Sequence, residues 1–217
     1  ETVYITHQLH ILLPSPWRWL EPLAARLHAR IYARYNKVWV PDYEEPEKSL
    51  AGDLSHIKGQ RDKGQCTVSY IGPLSRFSLT AQRSYSETVL QRSGLTAQRS
   101  YTIVAVLSGL EPQRTLLEKE LLARYRGGEQ RVLLVQGLLN RPATRIKRGN
   151  ITIVPSMTDS ELVPALLGAQ HIIARSGYST IMDLETLGLI QKAELIPTPG
   201  QPEQEYLAFW TEKRTSK

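Results

Sequence analysis

A short turn rich in small and hydroxyl-bearing residues is the part of this sequence best suited to bind a phosphate. The run 175–180 reads Arg, Ser, Gly, Tyr, Ser, Thr and follows an apolar stretch. A glycine lets a ligand approach the backbone, and the unpaired N–H groups of a helix start attract anions. An ordinary helix cap is the alternative interpretation. The predicted phosphate ligands here are Arg175, Ser176, Gly177, Ser179 and Thr180.

Two further groups of residues could bind the rest of a sugar nucleotide. Asp183 lies three residues after Thr180, on the same face of a helix, where its carboxylate could accept hydrogen bonds from a ribose diol. A solvated helix carboxylate would look the same. The proline-rich run 197–206 follows a predicted strand and offers polar side chains that could bind sugar hydroxyls, namely those of Gln201, Gln204 and Glu205.

The elements that would position these residues alternate between strand and helix. Predicted strands cover 2–6, 37–41, 67–71, 102–107, 131–135, 151–154, 171–174 and 193–197. Predicted helices cover 22–34, 112–125, 159–167 and 179–187. This alternation predicts an α/β fold with a doubly wound parallel sheet, in which ligands bind beyond the carboxyl ends of the strands. Ser108 and Gly109 also lie in a strand-to-helix turn and are predicted to contact phosphate.

Composition narrows the class of protein. The 217 residues are 41% hydrophobic, which is enough for one core or two smaller ones. The apolar runs are strand-sized, so no transmembrane helix is expected. A single cysteine, Cys66, excludes an intramolecular disulfide and suits a reducing cytosol. Residue 1 is Glu rather than Met, so we expect a piece of a longer chain.

The net charge of +6 would suit a nucleic acid, a membrane surface or an anionic substrate. The basic residues are scattered and no basic run is interleaved with aromatics, which disfavours nucleic acid as the partner. A helical stripe of Leu23, Leu27 and Ile31 has arginines beside it. No residues with the spacing of a metal site are seen.

One internal repeat has no assigned role. The seven residues 79–85 recur unchanged as 95–101. Two copies are too few for a solenoid. We place a domain boundary after Gly72, treat 73–100 as a linker that contains the repeat, and expect a second domain over 101–217.

The run 174–183, followed by Leu187, Gly188, Ile196, Pro197 and then 204–206, resembles the donor-site signature of family-28 glycosyltransferases, which include the peptidoglycan N-acetylglucosaminyltransferase. The resemblance is specific over about 100–206 and loose over 2–75. It implies the GT-B fold of two Rossmann-type doubly wound parallel-sheet domains, both expected to be incomplete in this chain. The chain has Asp183 where the family has Glu, and Glu205 where the family has a second Gln.

The resemblance also implies roles for residues and domains. Residues 1–72 would be part of the acceptor-side domain and 101–217 the nucleotide-sugar domain. Ser108 and Gly109 would match the family's glycine-rich loop, and Met157 would contact the base. His7 would lie at the cleft, where an imidazole could take the acceptor's proton. A histidine hydrogen-bonded within a loop is the alternative, and His10 competes for the role.

The function expected from the resemblance is an inverting, metal-independent transfer of a sugar from a UDP-linked donor, such as UDP-N-acetylglucosamine, to an acceptor hydroxyl. No cofactor is expected. The acceptor is unknown, and lipid-linked compounds are among the candidates. We also expect a cytoplasmic location with peripheral contact to a membrane. Three alternatives stay open: a nucleotide-sugar 2-epimerase of the same fold, a noncatalytic binding or partner subunit, and an RNA-binding domain.

Overall fold

The computed structural model describes residues 1–56, 67–78, 101–142 and 144–216 and has a mixed α/β architecture. Its helices are α1 (Glu21–Tyr32), α2 (Gln113–Tyr125), α3 (Asp159–Gly168), α4 (Tyr178–Thr186) and α5 (Pro202–Thr215). Its strands are β1 (Val3–Ile5), β2 (Lys37–Val40), β3 (Thr67–Tyr70), β4 (Ile103–Val106), β5 (Val132–Val135), β6 (Ile146–Arg148), β7 (Ile151–Val154), β8 (His171–Arg175) and β9 (Ala193–Ile196). Short 3-10 helices cover Ser15–Leu20, Gly52–Leu54 and Ile190–Lys192.

The chain forms two compact units, each built from separate segments. The first unit contains residues 1–75, 177–182 and 199–217, and the second contains 76–176 and 183–198. The C-terminal helix α5 therefore belongs to the unit that holds the N-terminal strands, although the sequence suggested one domain over 101–217. The repeat at 79–85 and 95–101 and the single Cys66 lie outside the described residues, apart from Tyr101.

The first unit is organised around a three-stranded parallel sheet in the order β1-β2-β3. Leu9, Val38 and Val40 form its buried centre. A loop after β2 is tied to the buried carboxylate of Asp42, which accepts hydrogen bonds from the hydroxyls of Ser49 (2.7 Å) and Ser55 (2.6 Å). The carboxylate also accepts the backbone N–H groups of Tyr43, Leu50 and Ala51.

The second unit is organised around a six-stranded sheet in the order β6-β7-β5-β4-β8-β9. Every pair is parallel except β6 with β7. Its core is aliphatic because β4, β5 and β7 are buried on both faces, as expected for central parallel strands. The core residues are Ile103, Ala105, Leu107, Leu117, Leu121, Val132, Leu134, Ile151, Ile153 and Ile173.

The prediction of an α/β class with parallel sheets is confirmed. The described structure contains all eight predicted strands and all four predicted helices. Thr158 caps the start of α3 as the sequence indicates, since the Glu161 carboxylate accepts the backbone N–H of Thr158 (3.0 Å). Pro164 lies inside this helix. Among the described strands and α-helices, the antiparallel edge strand β6 and the helix α5 were not predicted.

Candidate functional site

The carboxyl ends of five parallel strands define one edge of the six-stranded sheet. Numbered along the chain, these parallel strands have the spatial order 3-2-1-4-5, so the direction of progression reverses between β4 and β8. In sheets of this kind ligands bind outside the carboxyl ends of the strands at such a reversal. The loops that follow β4 and β8 are therefore the first place to look for a ligand site.

The loop after β4 exposes its backbone. Ser108 and Gly109 are both exposed, and Gly109 has a φ of +97° with open space where a Cβ would stand. Gly137, in the loop after β5, has a φ of +73°, and a Cβ there would collide with the carbonyl oxygen of Leu107. Two adjacent strand-end loops thus approach each other backbone to backbone. Gly137 was not predicted as a site residue. The signal that could have identified it is its position directly after the apolar run of β5.

The residues that end β8 face the interior of the second unit. The Arg175 guanidinium donates to the carbonyls of Pro197 and Gln113, both at 2.8 Å, and burial lowers the pKa of Arg175 from its ordinary value. Ser176 has 0% of its surface exposed. The predicted roles of both side chains as phosphate ligands stay predictions. Here Arg175 joins the ends of β8 and β9 to the start of α2.

The first residues of α4 precede its hydrogen-bond ladder. Its hydrogen-bond ladder begins with Ile181 N–H donating to the carbonyl of Gly177 (3.1 Å), so the preceding N–H groups lie before the ladder. Gly177 has open space at its Cβ position, and Ser179 is exposed. Thr180 is half-buried. These features are those of a helix N-terminus that can receive an anion.

An arginine not singled out from the sequence lies against the predicted ribose ligand. Arg76 Nε donates to Asp183 Oδ2 (3.1 Å), and Arg76 Nη1 lies 3.2 Å from Asp159 Oδ1 at the start of α3. The second unit therefore holds a cation between two carboxylates on helices that follow β7 and β8. Ser156 and Met157, which also follow β7, are half-buried. Arg76 was not predicted as a site residue, because no strand or helix was predicted from the sequence over residues 73–100.

In the first unit His7 has a carboxylate partner and an aromatic neighbour. Its Nε2 lies 2.8 Å from Glu203 Oε1, and its ring stacks on Tyr178 with centroids 4.1 Å apart and planes 9° apart. The Tyr178 hydroxyl donates to the Pro41 carbonyl (2.8 Å), and burial raises the pKa of this phenol. A carboxylate that holds one imidazole nitrogen leaves the other nitrogen, Nδ1, to accept a proton.

His10 has a different environment from His7. Its Nε2 lies 3.9 Å from Glu21 Oε2, and it lines a cavity of about 470 Å³ with Arg18 and Trp19. The 3.9 Å separation exceeds a hydrogen bond, so His10 is held less firmly than His7. Of the two histidines, His7 has the geometry of an oriented base.

The predicted sugar-binding residues lie at the start of α5. Gln204 Nε2 donates to Gln201 Oε1 (2.6 Å), and Glu205 is exposed. The sequence suggested a loop over 197–206, but the helix begins at Pro202. Proline suits the first turn of a helix because it has no N–H to leave unpaired, and acidic residues favour that turn. Glu203, the partner of His7, lies between Gln201 and Gln204 but was not predicted as a site residue.

Among the described residues, no group of three or more histidine, cysteine or acidic side chains could hold a metal ion. None of the described helices is both long enough and apolar enough to cross a membrane. No protein-family model matches the chain, and no curated protein matches it either.

Proposed function

We propose that this chain belongs to a glycosyltransferase that moves a sugar from a nucleotide-sugar donor to an acceptor hydroxyl. The donor would be UDP-linked, with UDP-N-acetylglucosamine as the first candidate, and the reaction would invert the anomeric centre without a metal. The proposal includes a GT-B arrangement of two Rossmann-type domains. It rests on the sequence resemblance and on the site geometry described above.

The observation that carries the proposal is the reversal of strand order between β4 and β8. The loop that follows β4 contains Gly109, which is exposed and has open space at its Cβ position. A diphosphate needs close access to main-chain N–H groups, which a side chain at this position would obstruct. This arrangement supports nucleotide binding at the edge where a doubly wound sheet accepts its ligands.

In the proposed reaction, the acceptor oxygen attacks the anomeric carbon while the bond to the diphosphate breaks. The electron pair of that bond leaves with the nucleoside diphosphate. Backbone N–H groups at the start of α4, with Ser179 and Thr180, would stabilise the developing charge. The acceptor's proton would pass to Nδ1 of His7, because Nε2 is engaged by Glu203. A single displacement inverts the configuration.

Asp183 and Arg76 would share the binding of the nucleotide. In the described structure the Asp183 carboxylate is hydrogen-bonded by Arg76. A ribose diol can donate to the same carboxylate, and a guanidinium can pair with a phosphate. We propose that the donor exchanges part of this ion pair for contacts to its ribose and phosphates, while Met157 contacts the base.

The test is calorimetric titration of the full-length protein with UDP and with UDP-N-acetylglucosamine. Asp183→Ala should weaken binding at least about ten-fold, since a lost charged hydrogen bond costs about 1.5–3 kcal/mol. Gly177→Trp should weaken binding at least about ten-fold, because the indole would block access to the backbone N–H groups at the start of α4. Gly128→Trp is the matched control, because Gly128 is exposed, has no positive φ and precedes the amino end of β5 instead of following a strand. Absence of UDP binding by the wild type would contradict the proposal.

A product assay separates the proposed transferase from the alternatives with the same fold. The protein is incubated with the sugar nucleotide alone and then with candidate acceptors. Release of UDP only when an acceptor is present supports the transferase. Formation of a 2-epimer without an acceptor would indicate an epimerase instead of a transferase. Binding with no turnover would indicate a noncatalytic subunit.

A further inference from the structure

The second unit has a cavity at the end of its sheet opposite to the strand-end loops described above. The cavity has a volume of about 680 Å³ and is lined by the last two turns of α2 and by the turn between β6 and β7. Ile151, the first residue of β7, also lines it. Ligand pockets in proteins are commonly about 300–1,000 Å³, so this cavity has the size of a small-molecule site.

Three cationic side chains surround the cavity. Lys119 lies on α2, Arg126 directly follows α2 on the same face, and Arg148 ends β6 on the other wall. All three are exposed, and none of them forms an ion pair with another described residue. None of the described side chains that line the cavity is acidic. The resulting excess of positive charge favours an anionic ligand.

Between the cations the lining is apolar and part of its backbone is open. Leu122 packs against the core of the unit, Ile151 is only 2% exposed, and Ala123 adds a small side chain beside them. Gly127 has a φ of +74° and Gly149 a φ of +59°, and both have open space where a Cβ would stand. A ligand can therefore approach the backbone at both glycines while it covers an apolar surface.

Asn150 ties the two walls of the cavity together. Its Oδ1 accepts the backbone N–H of Gly127 (3.1 Å), and its Nδ2 donates to the carbonyls of Tyr125 and Gln130, both at 2.9 Å. The Tyr125 carbonyl, which ends α2, also accepts the N–H of Gly128 (3.3 Å). This carbonyl therefore has donors of its own, and the cations around the cavity are not needed to satisfy it.

We propose that this cavity binds a small organic phosphate ester. The phosphate would pair with Lys119, Arg126 and Arg148, because ammonium and guanidinium groups donate charge-assisted hydrogen bonds to phosphate oxygens. The organic part would lie on Leu122 and Ile151, a surface from which an inorganic anion gains nothing. A nucleic acid is a poorer occupant, because none of the described residues that line the cavity is an aromatic on which a base could stack.

The inference does not rest on the proposed transferase activity, because it uses residues at the other end of the sheet. The affinity should fall as salt is added, since all three cations are exposed and therefore screened. An ester with an aromatic group should bind at least about ten-fold more tightly than inorganic phosphate, because burial of a ring adds a hydrophobic contribution.

The experiment is titration of the ¹⁵N-labelled full-length protein with phenyl phosphate, followed by the amide resonances of Gly127 and Gly149. Phenyl phosphate should shift both resonances, and inorganic phosphate should need at least about ten-fold higher concentrations to do so. Arg126→Gln with Arg148→Gln should weaken binding at least about ten-fold. Ala123→Trp should block the cavity without removing a charge. Since Ala123 is exposed, this variant should keep the wild-type circular dichroism.

Lys147→Gln is the matched control. It removes an exposed cation next to Arg148 in β6, but successive side chains of a strand point to opposite faces, and Lys147 does not line the cavity. This variant should bind phenyl phosphate like the wild type. Unshifted Gly127 and Gly149 amides would overturn the proposal, as would equal affinity for inorganic phosphate. A loss in Lys147→Gln equal to that in Arg148→Gln would also overturn it, because the attraction would then come from net charge alone.

Discussion

At the scale of single residues, His7 has the surroundings of an oriented proton acceptor. Glu203 holds its Nε2 and Tyr178 stacks on its ring, so Nδ1 is left for the acceptor hydroxyl of the proposed reaction. His7→Gln should lower kcat by about 10²- to 10⁴-fold, the usual contribution of a general base. The measurement is the rate of UDP release with a competent acceptor.

The partner carboxylate gives a sharper test of the same arrangement. Glu203→Gln keeps a hydrogen-bond acceptor but removes the charge that would stabilise the imidazolium formed in the proposed reaction, so kcat should fall. Glu212→Gln on the exposed side of α5 is the control. A kcat unchanged by Glu203→Gln would exclude the pair from proton transfer.

Gly52 shows how one missing side chain permits close packing. Its φ is +53°, and a Cβ there would lie 2.6 Å from the Tyr206 hydroxyl and 2.7 Å from the Trp210 ring. Gly52→Ala should lower the free energy of unfolding by about 2–5 kcal/mol, from backbone strain and collision together. Gly72 has a φ of +71° but open space at its Cβ position, so Gly72→Ala adds backbone strain without a collision. This variant should lower the free energy of unfolding by only about 1–2 kcal/mol. Urea unfolding of both variants measures the difference.

At the scale of elements, the loop after β2 depends on one buried carboxylate. Asp42 accepts both side-chain and backbone donors, and Ser49 and Ser55 lie buried against it. Asp42→Asn places an amide N–H₂ where an acceptor is needed, which should cost about 2–3 kcal/mol of stability. Glu47→Gln, in the exposed part of the same loop, should change the unfolding midpoint little.

Strand β9 is joined to its neighbours through Glu194. Burial alone would raise the pKa of this carboxyl, but hydrogen bonds from Arg124 (2.7 Å) and His171 (2.9 Å) outweigh burial and lower the pKa. The ionised group therefore contributes stability above its unfolded pKa of about 4.3, and that contribution is lost as pH falls through the lowered folded pKa.

Glu194→Gln should remove this contribution, which is at most about 1 kcal/mol because the side chain is partly exposed. Unfolding by urea at a series of pH values should show the variant closest to the wild type at the acidic end and less stable near neutral pH. Glu129→Gln, an exposed carboxylate, is the comparison. A constant difference at all pH values would contradict the assignment.

The positions of the strands and most helices could be predicted from local sequence patterns. The roles of individual side chains could not, because they depend on contacts between residues that are far apart in the sequence. The apolar runs of β4, β5, β7 and β8 predicted the strands, and turn glycines predicted where they end. The order of the strands, which creates the reversal between β4 and β8, is set by packing and has no local signal. The Glu203 and Arg76 contacts likewise join residues far apart in the chain. Helix α5 was missed because its polar, proline-rich start looks like a loop.

At the scale of the whole molecule, the two compact units are interleaved along the chain. Helix α5 supplies Leu207, Tyr206 and Trp210 to the first unit, where the Tyr206 hydroxyl accepts from Asp53 N–H and Trp210 Nε1 donates to the Ser49 carbonyl, both at 2.8 Å. Removing residues 199–217 should therefore unfold the first unit while leaving the six-stranded sheet. Amide hydrogen exchange should lose protection in β1–β3 and keep it in β4, β5 and β8. Loss of protection in both sheets would contradict this expectation.

This interleaving also sets an order of events during synthesis on the ribosome. All residues of the second unit, which end at 198, emerge before the first unit receives α5. Proteins grow at about 5–20 residues per second, and domains can fold as they emerge. The second unit can therefore fold while the N-terminal strands still lack α5 and the loop at Gly52 is uncovered. Residues 1–75 are made before the second unit but reach their final structure after it, and during that interval chaperones have access to them.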